Sequence, residues 1–98
     1  MVNELFELIV GESGLIVTLR CYNRLDEEKL ISIKSILSTL VLEWKKQQTV
    51  PKKAMLAIFE LVDCLVGGNR FLDNKEAIKV EDASLEIRDI INDLYENL

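Results

Sequence analysis

Histidine is absent from the chain, which removes the commonest general base, the commonest zinc ligand and every triad that depends on imidazole. Cysteine occurs twice, at Cys21 and Cys64, with no C-x-x-C spacing. Both sit in apolar periodic segments and read as reduced core residues of a cytosolic protein, not as a disulfide. Long apolar runs are missing too. The longest stretch without charge is Ser35 to Leu42, well short of the ~20 residues a membrane-spanning helix needs. The first ten residues lack a basic start and are broken by Glu4 and Glu7, so they do not read as a signal peptide. The expectation is a cytoplasmic protein without a membrane partner.

Motifs for nucleophiles, phosphates and cations are also missing. Gly11-Glu12-Ser13-Gly14 has leucine at position 15 where a nucleophile elbow needs glycine, and no strand before it. Gly67-Gly68-Asn69-Arg70 is too short for a phosphate loop and follows a helical pattern, where glycines end a helix. Carboxylate pairs such as Glu27/Glu28 and Glu60/Asp63 stand outside any D-x-D-x-D-G loop. The chain therefore reads as a non-enzyme with no catalytic residues, no metal and no cofactor.

What is present is helical periodicity. At 98 residues, 49% apolar and 30% charged, the chain has the composition of one globular domain, able to bury roughly 60–65% of its unfolded surface. Asn3 can cap a helix running to Val10, closed by a left-handed Gly11, with Leu5, Leu8 and Ile9 inward. Leu15 to Tyr22 reads as a second helix. Asp26 caps a third, with Leu25 and Leu30 placed as a hydrophobic staple. Its apolar stripe, Leu30, Ile33, Ile36, Leu37, Leu40, Val41 and Trp44, lasts about five turns.

Pro51 suits the first position of a new helix. Eleven of the sixteen residues from Pro51 to Val66 are apolar, so this helix should be covered on several sides. Trp44 and Phe59 read as core, and Phe71 as docked on it. Asp73 and Glu76 form a D-x-x-E capping box for a short helix to about Val80, and Asp82 caps a last helix with Ile87, Ile90, Ile91, Leu94 and Leu98 inward. The pattern predicts an all-α fold: an irregular antiparallel bundle of five or six helices around a central apolar helix, Pro51 to Val66.

Charge is unevenly spread. The net charge of −5 is carried entirely by residues 81 to 98, with six acids against Arg88, while the rest of the chain holds eleven acids and eleven bases. Asp82, Glu86, Asp89, Asp93 and Glu96 recur at steps of four and three, which stacks them on one helix stripe. Like charges so placed repel, and acids near a helix C-terminus oppose its dipole. That local defiance of folding rules marks the stripe as a candidate surface for a basic partner. Lys45, Lys46, Lys52 and Lys53 make a basic spot around Pro51, but without arginine or aromatic support it reads as a solubilising turn more readily than as a nucleic-acid contact.

A small, acidic, helical chain without catalytic groups resembles the immunity proteins that bacteria encode beside secreted nuclease toxins, such as those of contact-dependent growth inhibition systems. The resemblance implies an inhibitor, monomeric when free, that binds one cognate basic toxin domain and no nucleic acid directly. It would cover a nuclease groove with Asp82, Glu86, Asp89, Asp93 and Glu96 standing where phosphates would lie. A groove that must hold phosphates is positive, so an acidic helix can compete for it. The other reading is a helical adaptor or oligomeric structural subunit, associating through the apolar Pro51 to Val66 helix.

Overall fold

The computed structural model describes residues 1–67 and 72–95. Expectations that fall on Gly68, Phe71, Glu96 and Leu98 lie outside the described residues. Among those described, every element is helical: α1 (Val2–Val10), α2 (Leu15–Tyr22), α3 (Glu27–Gln47), α4 (Lys52–Gly67) and α5 (Asn74–Asn92), followed by a 3-10 turn, Asp93–Tyr95. None of these helices is long and apolar enough to cross a membrane.

Local chemistry explains several boundaries. The Asp26 carboxylate accepts from the Lys29 amide at 3.1 Å and caps α3. Leu25 and Leu30 are both buried as the staple requires. The seven-residue stripe of α3 faces inward, six of its members buried and Ile36 partly so. Gln48, in the left-handed conformation at φ 59°, ends the helix.

Gly11 differs from expectation: it is extended (φ −65°, ψ 174°), and Asn23 and Gln48 are the described non-glycine residues with positive φ. Asn3 lies inside α1, whose start at Met1 has no side-chain cap. The turn between α1 and α2 requires glycine at both positions 11 and 14 for another reason: a Cβ would sit 2.5 Å from the Glu7 carbonyl oxygen at Gly11 and 2.7 Å from the Ile9 carbonyl oxygen at Gly14.

Helices α1, α3, α4 and α5 wall the core, and α2, which lies against α1, adds Leu15, Ile16 and Leu19 to it. The expected last two helices are one. Asp82 is in the interior of α5 and caps nothing, because no breaker separates Val80 from Asp82 and the apolar stripe continues through Val80, Ala83 and Ile87. The bundle is not antiparallel throughout. Glu27, Lys34 and Lys45 of α3 meet Lys79 and Glu86 of α5 and then Asp93, just past its end, in the same order, so these two helices run parallel.

The apolar helix α4 is not central either. It packs against α1 and α5, with Ala54, Ala57 and Leu61 fully buried, and its opposite side faces solvent. A long apolar helix needs only one side covered when the remaining helices form the other walls of the same core.

Candidate functional site

Asp82, Glu86 and Asp89 are exposed on α5, on the side away from the core residues Val80, Ala83 and Ile87, and Asp93 is half-buried at the end of that column. The structure brings these four together as the spacing predicted. It also gives two of them partners. Lys34 donates to Glu86, and Lys45 donates to Asp93 at 3.2 Å. Both lysines come from α3, so alternate carboxylates of the stripe are neutralised within the fold and the expected repulsion is relieved there. Lys45 also offsets the unfavourable position of Asp93 at the helix end. Asp82 and Asp89 form no ion pair among the described residues.

The basic spot is divided in the same way. Lys45 is held by Asp93, and Lys53 donates to Asn3 at 2.8 Å while its ammonium lies 4.7 Å above the centre of the Phe6 ring. Lys46 and Lys52 are left at the surface.

Two apolar grooves flank α4. One, of 390 Å³, runs between α4 and the end of α5 and is floored by Ile58, Val62, Ile91 and Leu94. The other, of 420 Å³, lies between α4 and the first two helices, with Val10, Ile16 and Val17 along its wall. The ridge between them is Met55, Leu56, Phe59 and Val66, exposed by 55, 54, 73 and 60%. Phe59 is thus not a core residue, contrary to expectation, whereas Trp44 is.

Association through this helix was the alternative expectation, but Phe59 was placed in the core because apolar content was equated with burial. The signal was there: apolar residues occupy more than half the circumference of Pro51 to Val66, more than two neighbouring helices can cover. Single exposed apolar residues mean little, but Met55, Leu56 and Phe59 on adjacent turns, with Val66 two turns further along the same side, form a patch.

Cys21 is also exposed, a second departure from expectation, while Cys64 is buried. Burial pushes the Cys64 thiol above its ordinary value, against the pull of Arg20. Both cysteines are free.

A further polar contact joins distant parts of the chain. Glu76 was expected to complete a capping box; Asp73 does cap α5, accepting from the Glu76 amide at 2.9 Å, but the Glu76 carboxylate reaches the Leu25 amide at 3.0 Å instead. That hydrogen bond, with Lys79 beside it, holds Glu76 below the usual carboxylate range. It ties the start of α5 to the start of α3.

Among the described residues no three histidine, cysteine or acidic side chains converge on a metal-sized site. Comparison of the chain with models of known families, with curated proteins and with solved structures finds no match.

Proposed function

We propose that this protein is a non-catalytic binding module of the adaptor or structural-subunit kind, which meets a protein partner through the outer face of α4. The observation that carries the reading is Phe59, 73% exposed in the middle of a ridge of apolar side chains. Solvent exposure of four large apolar side chains on one helix costs solubility and adds nothing to folding, and aromatic residues of this kind anchor protein interfaces. The grooves on either side supply the concave surroundings in which such anchors are desolvated.

A photo-crosslinking side chain at position 59, introduced in the producing cell, is expected to yield a covalent protein adduct. The same group at Ser32, exposed on α3, is the control and should yield none. Equal labelling at both positions, or no adduct at 59, would sink the reading.

A second reading, inhibition of a basic toxin domain, keeps support from Asp82 and Asp89, which point outward without ion-pair partners among the described residues. Glu86 and Asp93 are poor probes of it, because reversing them also breaks contacts with α3. The clean variant is Asp82→Lys with Asp89→Lys, which should retain the fold and lose protection against a cationic nuclease. Undiminished protection would remove the stripe from consideration.

A further inference from the structure

We propose that the outer face of α4 pairs with the same face of a second copy of this chain, antiparallel, about a two-fold axis lying between the two helices, level with the Ala57–Ile58 midpoint. The inference rests on the reading of α4 as the binding face and names its partner. Lys52 and Asp63 are eleven residues apart, which at about 100° per residue returns the helix to within about 20° of the same direction. They therefore stand at opposite ends of one stripe, with Met55, Leu56 and Phe59 between them. Both are exposed, and neither forms an ion pair among the described residues.

A face that is cationic at one end, apolar in the middle and anionic at the other is complementary to itself in one orientation. Parallel stacking would set Lys52 on Lys52 and Asp63 on Asp63. Antiparallel stacking sets Lys52 on Asp63 of the second copy, and the two-fold axis repeats that pair at the other end, as an isologous contact demands. In the same register Leu56 of each copy meets Phe59 of the other, so the most exposed ring is covered twice by aliphatic surface. A uniformly basic or uniformly acidic partner would satisfy one end of the stripe and repel the other. The ridge is only about four turns long, so it buries less than the ~800 Å² per partner of a standard interface. The dimer is accordingly expected in the micromolar range and to be concentration-dependent.

Sedimentation equilibrium of the full chain, from micromolar to millimolar concentration, tests this directly. The wild-type chain should dimerise, and Phe59→Ser should be monomeric with its helical circular dichroism and melting temperature retained, because the side chain it removes is not in the core. Lys52→Asp and Asp63→Lys each place like charges in apposition twice and should weaken self-association by about tenfold or more. Neither harms the isolated helix, since an acid at its start and a base near its end suit the dipole. Mixing the two single variants restores both attractions in a heterodimer, and combining the swaps in one chain restores them in a homodimer.

A wild-type chain that stays monomeric throughout, a dimer indifferent to Phe59→Ser, or charge variants that fail to recover on mixing would each overturn the proposal. A monomeric chain that still gives a crosslink at position 59 to a different protein would refute the dimer and leave α4 as a binding face. A monomeric chain with no crosslink at 59 would refute both.

Discussion

Glu76 shows how one side chain can do a different job from the one its spacing suggests. Its position three residues after Asp73 is that of a capping-box partner, yet its carboxylate accepts from the Leu25 amide and sits near Lys79. Because the folded protein holds this carboxyl below its ordinary value of about 4.3, it binds a proton less readily folded than unfolded. Its contribution to stability is therefore present above the unfolded value and is lost as pH falls through the folded one. Thermal melts over acid pH should show the wild type losing stability more steeply than Glu76→Gln below about pH 4.3. At neutral pH Glu76→Ala should cost about 1 kcal/mol, because the Leu25 amide loses its acceptor. Parallel pH curves for wild type and Glu76→Gln would show that the charge of Glu76 is not engaged.

At the scale of the element, α5 has an outer column in which pairing alternates. Glu86 and Asp93 meet lysines from α3, whereas Asp82 and Asp89 do not. Substitutions of the same chemistry should therefore act with opposite sign along one stripe. Asp89→Lys places a base between Glu86 and Asp93 in the second half of the helix and should stabilise by about 0.5 kcal/mol. Glu86→Lys sets a base against Lys34 and should destabilise by about 0.5–1 kcal/mol, modestly because the pair is partly solvated. Urea midpoints at unchanged slope measure both changes. Equal effects at 86 and 89 would mean that the pairing with α3 is not maintained in solution.

The helix pattern itself was legible at this scale. The Asp26 cap, the Leu25/Leu30 staple and the α3 stripe ending in Trp44 follow from side-chain chemistry within one turn and are found as expected. The supposed break before Asp82 was not real. Aspartate is an excellent cap but also a tolerable residue on a solvated helix face, and continuous inward packing of Val80, Ala83 and Ile87 decides between the two.

At the scale of the whole molecule, the two cysteines report on how the walls of the bundle close. Cys21 is at the surface of α2, and Cys64 is enclosed on the inner side of α4. A thiol reagent should modify Cys21 in the folded state and reach Cys64 only through opening of the bundle, at a rate that denaturant increases. Two equally fast thiols under native conditions would mean that α4 does not close on α1 and α5. The same closure explains why α4 faces solvent on its other side. With five helices sharing one core, each contributes part of the wall, and α4 needs only one side covered.

The sequence by itself determined the helical class, the capped start of α3, the apolar stripes and the placing of Asp82, Glu86, Asp89 and Asp93 on one side of a helix, since all of these depend on neighbours within one or two turns. Only the tertiary structure decided that α3 and α5 run parallel, that lysines at 34 and 45 reach the acidic column, and that Phe59 stands in solvent. Those outcomes depend on which helix lies beside which, and the periodicity of a single helix specifies the direction of its apolar face without specifying how much of that face its neighbours will cover.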